Sequence, residues 1–129
     1  MRGKKKTIRL GELQLRIMKV LWSAAEPVSV ADVQQALDGE PLAYTTIATM
    51  LRKMEDRDLV RHREDGRKYL YEPVVTSGQA SRFMADDFVH RMFEGSVTAA
   101  VNHLLETRDV NPDELAELER LIQRHKRKK

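Results

Sequence analysis

The chain of 129 residues contains no cysteine. Disulfide bonds, zinc sites built on thiolates and a cysteine nucleophile are therefore excluded, and the composition is compatible with a reducing cytoplasm. No apolar run approaches the roughly 18 residues that a membrane span needs. The basic start of the chain is not followed by the apolar segment of an export signal. We therefore expect a cytoplasmic protein that does not bind membranes directly.

Patterns typical of enzymes and metal sites are also missing. The chain has no glycine-rich phosphate loop and no arrangement of serine, histidine and aspartate typical of a hydrolase. Its four histidines are scattered at spacings that do not favour a metal site: His62, His90, His103 and His125. We therefore expect no enzymatic activity, no cofactor and no bound metal. A hydrolase or metal enzyme is kept as a further hypothesis that a bound metal would support.

Charge is distributed unevenly along the chain. The net charge is +3, from 23 lysines and arginines against 20 acids, and the isoelectric point is about 9.3. Residues 1–75 hold 14 basic and 11 acidic residues, whereas residues 76–129 hold nine of each and end on a basic tail. A mildly basic balance is compatible with nucleic-acid binding without requiring it.

Apolar periodicity predicts three helices in the first half of the chain. The first spans about residues 11–24, the second begins at a Ser29-Val30-Ala31-Asp32 capping box, and the third spans about residues 44–57. The buried stripe of the third helix should consist of Ile47, Met50, Leu51 and Met54. The opposite face, on which we also place Ala48, should then be turned to solvent.

A β-hairpin is predicted directly after the third helix. Two β-prone runs flank Asp65-Gly66, and this dipeptide between such runs predicts a type I′ turn. Pairing Glu64 with Arg67 across the turn would place His62 opposite Tyr69. We interpret His62 as a packed strand residue.

Three helices followed by a hairpin, within about 65 residues, is the order of a winged helix-turn-helix. That module places its third helix in the major groove of DNA. We therefore predict a mainly α protein with a small β-hairpin. Residues 1–8 would form a flexible basic arm, residues 9–75 the winged-helix DNA-binding domain, and residues 76–129 a three-helix dimerisation domain with a basic tail. The arm either contacts DNA or has no role.

The exposed face of the third helix has the chemistry of a DNA-binding surface. Threonine hydroxyls can reach phosphates or base edges, and Arg52 can bind guanine through two hydrogen bonds or bind a phosphate. The tip of the hairpin would contact the DNA backbone or the minor groove. The predicted DNA-binding residues are Tyr44, Thr45, Thr46, Thr49, Arg52 and Lys53 on the helix, with Arg63, Arg67 and Lys68 on the wing. The alternative is a winged-helix protein-interaction module that never binds DNA.

The C-terminal region predicts three further helices, beginning near Ser77, near Ser96 and at Asn111-Pro112. About 55 residues bury too little surface to form a stable monomeric domain on their own. We expect these helices to form a homodimer, which implies a palindromic operator of double-stranded DNA. Packing back on the winged helix is the alternative. The predicted dimerisation residues are Phe88, Met92, Val97, Val101, Leu104, Leu105, Leu118 and Ile122.

Several short segments, spread over about residues 8–125, together form a pattern that is typical of one protein family. They are Leu10-Gly11-Glu12-Leu13-Gln14, Ile17-Met18, Leu21-Trp22, Ala43-Tyr44-Thr45-Thr46-Ile47, Leu59-Val60, Gly66-Arg67, Tyr69 and Tyr71-Glu72-Pro73. This pattern resembles the penicillinase and methicillin-resistance repressor family (BlaI/MecI-like), and its Leu-Trp and Tyr-Thr-Thr segments are fairly specific. The resemblance implies an N-terminal winged helix, a C-terminal helical dimerisation domain and sequence-specific repression of target operons.

The same resemblance implies a mechanism of release from DNA. It implies control by a membrane-bound sensor with a cytoplasmic metalloprotease, which cuts the C-terminal domain of the repressor. In the best-known members the cut falls at an Asn-Phe bond in the middle helix of that domain. The matching place here is His103-Leu104, with Asn102 one residue earlier, so the bond itself differs. A related branch responds to copper through C-terminal cysteines, which this chain lacks.

Overall fold

The computed structural model describes residues 8–128 and confirms a mainly helical fold with one small hairpin. The elements are α1 (Glu12–Ser23), α2 (Val30–Ala36), α3 (Tyr44–Asp56), β1 (Val60–Asp65), β2 (Lys68–Pro73), α4 (Ser77–Phe93), α5 (Val97–Thr107) and α6 (Pro112–Arg127). Except for its last residue, Ile8, the predicted basic arm lies outside the described residues.

The chain divides into two compact units within α4. The first unit ends at Ala85 and the second begins at Asp86. The first turns of α4 belong to the first unit, where Ala80 is buried and Phe83 packs against the core. The division into a DNA-binding domain and a dimerisation domain, with its boundary after residue 75, remains a prediction.

The core of the first unit is built from the apolar faces of α1, α2 and α3 and from the base of the hairpin. Its fully buried side chains are Ile17, Met18, Val33, Ile47, Leu51, Met54, Leu59 and Val60. Because the buried residues recur every three or four positions along α1 and α3, one side of each helix is withdrawn from water. On α3, Met50 is only half-buried, and Ala48, which we expected on the opposite face, packs against the core.

The hairpin turn differs from the predicted one. Its two loop residues are Gly66 and Arg67, and Asp65 pairs with Lys68. Gly66 has a φ of +65°, whereas Arg67 is not among the described non-glycine residues with positive φ. A positive φ at the first central residue alone is typical of a type II′ turn. The prediction of a type I′ turn centred on Asp65-Gly66 is therefore wrong.

The shifted register changes the neighbours along the hairpin. His62 lies opposite Tyr71, so the predicted pairing of His62 with Tyr69 is also wrong. Tyr71 in turn exchanges two backbone hydrogen bonds with Val28, with N···O distances of 2.9 and 2.6 Å. Val28 thus acts as a one-residue third strand that holds β2 to the segment between α1 and α2.

The chain leaves α3 through a tight turn that leads directly into the hairpin. The Leu59 N–H donates to the Met54 carbonyl at 3.0 Å, and the Asp58 N–H donates to the Glu55 carbonyl at 2.9 Å. With Asp58 at a φ of +61°, these two bonds form a Schellman motif. Because Leu59 and Met54 are both fully buried, the turn fixes where the hairpin starts relative to α3.

Capping side chains close the helix starts that the sequence identifies. The Ser29 hydroxyl accepts the Asp32 N–H and the Asp32 carboxylate accepts the Ser29 N–H, both at 3.1 Å, which confirms the predicted capping box. Chiefly the backbone N–H of Ser29 holds the pKa of Asp32 below its ordinary value. The Asn111 side chain accepts the Glu114 N–H at 2.8 Å at the start of α6.

Replacing Ser29 by alanine removes the hydroxyl that accepts the Asp32 N–H at the start of α2, and it leaves the buried core residues unchanged. We expect the free energy of unfolding, measured by urea denaturation with circular dichroism, to fall by about 1 kcal/mol. Ser23→Ala, at the exposed end of α1, is the control and should change it by no more than about 0.5 kcal/mol. Equal effects of the two substitutions would contradict the capping role.

Candidate nucleic-acid interface

All six predicted DNA-binding residues of α3 are exposed. They are Tyr44, Thr45, Thr46, Thr49, Arg52 and Lys53. Ile47, Leu51 and Met54, on the other side of the helix, are fully buried and hold it on the core. The exposed face therefore offers four hydroxyl groups and two cations over residues 44–53, and the acids of the helix follow only in its last turn.

The start of α3 has no side-chain cap. Its N-cap residue is Ala43, which has no acceptor to offer. At the starts of α2, α4, α5 and α6 an N–H is accepted by the side chain of Ser29, Thr76, Ser96 and Asn111, respectively. The first N–H groups of α3 therefore suit an acceptor from outside the chain, such as a phosphate oxygen. This feature was not predicted, although the sequence carries its signal, the absence of a capping side chain at Ala43.

Two side chains of the preceding helices help to place α3. The amide of Gln34 in α2 donates to the Leu42 carbonyl at 2.8 Å, which fixes the segment just before α3. The amide of Gln14 in α1 lies 3.5 Å from the Met50 sulfur. Each of the two preceding helices thus contributes one side-chain contact to the placement of α3.

The hairpin exposes all three cations that the sequence analysis placed at its tip. Arg67 lies in the turn, whereas Arg63 and Lys68 project from the same face of the two strands. Arg63 also donates to the Glu72 carboxylate at 3.1 Å. Residues 63–68 hold these three cations against the two acids Glu64 and Asp65, a net charge of +1, and Arg63 already has an acidic partner.

Arg61 is a further cation of this surface and was not among the predicted DNA-binding residues. It lies two residues before Arg63 on the same strand face and donates to the Glu72 carboxylate at 2.6 Å. Chiefly this bond holds the pKa of Glu72 below its ordinary value. The available signal was the two-residue spacing of arginines, because alternate strand residues share a face.

The second unit exposes most of the predicted dimerisation residues. Phe88, Met92, Val97, Val101, Leu104, Leu105 and Ile122 are exposed, and Leu118 is half-buried. Of residues 86–128, only Ala100 is buried. Between α5 and α6 lies a groove of about 850 Å³, lined mainly by Val101, Leu105, Leu115, Leu118, Leu121 and Ile122. An apolar surface of this extent is typical of an interaction site.

The predicted cleavage site lies inside α5. His103 and Leu104 are both exposed, and the His103 carbonyl accepts a hydrogen bond from the Thr107 hydroxyl at 2.8 Å. The His103 ring lies 5.6 Å from the ring of Phe93, measured between centroids. The bond between His103 and Leu104 is therefore on the surface but in helical backbone.

Two negative findings apply to residues 8–128. No group of three or more histidine, aspartate and glutamate side chains in this range could hold a metal ion. None of the helices in this range is long and apolar enough to cross a membrane.

An exposed polar helix beside a hairpin that carries arginines and a lysine is the arrangement of the winged-helix modules found in DNA-binding transcription regulators. The sequence profile described as penicillinase repressor matches residues 10–124. The chain belongs to the penicillinase repressor family, which confirms the resemblance found in the sequence, and it is a winged-helix DNA-binding transcriptional repressor.

Two relatives match almost the whole chain. The transcriptional regulator BlaI of Mycobacterium tuberculosis is 35% identical over 119 residues, which cover 91% of this chain and 85% of the relative. The penicillinase repressor of Bacillus licheniformis is 23% identical over 125 residues, which cover 97% of this chain and 98% of the relative. Both relatives are regulators of transcription.

The solved structure of MepR, a transcription regulator of the Staphylococcus aureus multidrug efflux pump MepA, has a similar fold. It matches with a TM-score of 0.50 and 14% identity, and the match covers 90% of this chain and 77% of MepR. At this identity the likeness concerns the fold alone, and it supports the predicted fold class.

Lys53→Ala tests the exposed face of α3 as a phosphate-binding surface. We expect weaker binding to a short mixed-sequence duplex, with the slope of log affinity against log salt reduced by about 1, because one fewer counterion contact is made. Fluorescence anisotropy at several salt concentrations measures this slope. Lys19→Ala, at an exposed position on α1, is the control, and an equal reduction there would contradict the assignment.

Proposed function

We propose that the chain represses transcription as a homodimer bound to a palindromic DNA operator. The observation that carries this proposal is the uncovered apolar surface of the second unit, where Ala100 is the only buried residue among residues 86–128. Exposing such an apolar surface to water is unfavourable, and a second copy of the chain can cover it through a two-fold interface. We propose that it acts in the cytoplasm, with which the absence of cysteine is compatible.

The proposed interface is the groove between α5 and α6 together with the exposed apolar residues around it. Val101 and Leu105 line the groove from α5, and Leu118 and Ile122 line it from α6. A two-fold axis through this interface would relate two copies of α3. Each copy would then contact one half-site, and the half-sites would lie about one helical turn of DNA or more apart.

Within each half-site, α3 would lie in the major groove and the wing would follow the backbone. Thr45, Thr46 and Thr49 carry hydroxyls for phosphates or base edges, and Arg52 can donate two hydrogen bonds to guanine. Arg63, Arg67 and Lys68 would contact phosphates or the minor groove. The exposed hydroxyls and cations of α3 argue against a protein-interaction module, which would favour an apolar face there.

We further propose that cleavage within α5 by a membrane-bound sensor metalloprotease releases the repressor. The bond between His103 and Leu104 lies between Val101 and Leu105, so a cut there divides the apolar groove. Because proteases generally bind extended chain, this turn of α5 must first unwind, which breaks the bond from Thr107 to the His103 carbonyl. The exposure of both residues supports this site.

Ile122→Asp tests the dimer and the operator together. Ile122 is 54% exposed on the groove side of α6, so the substitution should leave each chain folded. We expect it to place a charge in the apolar interface, shift the protein to monomer in analytical ultracentrifugation, and weaken binding to DNA from upstream of its own gene.

Gln123→Asp is the matched control for Ile122→Asp. It introduces the same aspartate at the adjacent position, which lies outside the apolar groove. We expect Gln123→Asp to remain dimeric and to retain binding. A dimer that survives Ile122→Asp, or a wild-type protein that is monomeric at all concentrations, would contradict the proposal.

A further inference from the structure

We propose that Glu55 of α3 is a positioning residue that, through His62, holds the wing at the distance from α3 at which both can contact one DNA duplex. This inference rests on the proposed assignment of α3 and the hairpin tip as the DNA-contacting surfaces.

The contact between Glu55 and His62 joins α3 to β1 at two points. The Glu55 carboxylate accepts the backbone N–H of His62 at 3.2 Å, and both of its oxygens lie 2.8 Å from Nδ1 of the His62 ring. Because one carboxylate holds both the main chain and the side chain of the strand residue, it restrains the rotation of the strand as well as its distance from α3.

The His62 ring extends this contact to the second strand of the hairpin. It stacks on Tyr69, with ring centroids 4.1 Å apart and planes 17° apart, and meets the edge of Tyr71 at 5.6 Å. Burial raises the pKa of Tyr71, and the negative charge of Glu55 adds to this shift. We call Glu55, His62 and Tyr69 the wing clamp. It connects α3 to both strands through one imidazole ring.

The wing clamp lies where the anchored base of the hairpin ends. Leu59 and Val60 are fully buried, and Tyr71 is bound to Val28. Beyond His62, every residue from 63 to 69 is exposed, including the three cations of the tip. Among the described residues, the Glu55–His62 contact is therefore the outermost hydrogen-bonded attachment of the hairpin to α3. Holding the tip in place beforehand lowers the cost of ordering it on DNA.

Because Glu55 is negatively charged, the proposal can be tested by whether its removal weakens or strengthens DNA binding. A carboxylate on a DNA-binding helix repels phosphates, so an acid without a positioning role should give tighter binding when it is removed. A positioning acid should give weaker binding. The neighbouring Asp56 is exposed and has no hydrogen-bond or ion-pair partner among residues 8–128, so it serves as the matched control.

The experiment compares Glu55→Ala with Asp56→Ala, which remove the same charge from adjacent positions. Binding to a short mixed-sequence duplex is measured by fluorescence anisotropy, after thermal unfolding has shown that both variants fold. We expect Asp56→Ala to bind as tightly as the wild type or more tightly, and Glu55→Ala to bind roughly three- to tenfold more weakly. Glu55→Gln keeps an oxygen acceptor for His62 and should recover part of the loss.

A second background separates positioning from a general structural role. In a chain that carries Arg67→Ala and Lys68→Ala, the tip has lost two of its cations, so adding Glu55→Ala should have little further effect. A full additional loss in that background, or a Glu55→Ala variant that binds as tightly as Asp56→Ala, would overturn the positioning role. A wild-type protein without salt-dependent binding would instead overturn the DNA-contact assignment, and the positioning role with it.

Discussion

The burial of one side of α3 is the constraint on which the DNA-binding surface depends. Ile47, Leu51 and Met54 are fully buried, and burying a side chain of this kind stabilises a fold by about 1.5–3 kcal/mol. This burial fixes the rotation of α3 about its axis. The polar residues between those three positions must then face water. The same seating determines where the hairpin begins, because the turn after α3 buries Leu59 next to Met54.

The two units differ in how far their own elements shield their apolar residues from water. The first unit covers its apolar residues with its own elements and keeps a polar helix and a basic hairpin on its surface. The second unit leaves most of its large apolar residues exposed, and under the proposed function a second copy of the chain covers them. Under the proposed function, dimerisation and DNA binding therefore rely on separate surfaces. A cut within α5 would directly impair only dimerisation. Operator binding would then weaken because a monomer contacts one half-site.

Helix positions, caps and the exposed face of α3 were largely predictable from the sequence, whereas the hairpin register and the contacts between separate elements were not. The Ser29 cap and the exposed face of α3 follow from spacing over a few positions. The hairpin register was missed because a shift by one residue on each strand leaves the same residues on each face, so alternation fits both registers. The bridge at Val28 and the wing clamp were missed because they join separate elements, and no local pattern encodes such contacts. The predicted DNA-binding and dimerisation residues have the expected exposure, and their roles remain predictions.

The proposed function requires two copies of α3 to bind the major groove of one operator. Methylation protection of guanine N7 tests it most directly, because that atom lies in the major groove. The DNA would be a duplex that the protein itself selects from a random-sequence library. We expect two clusters of protected guanines, related by a two-fold axis and about one helical turn or more apart. A single cluster, or binding that leaves every guanine N7 unprotected, would contradict it.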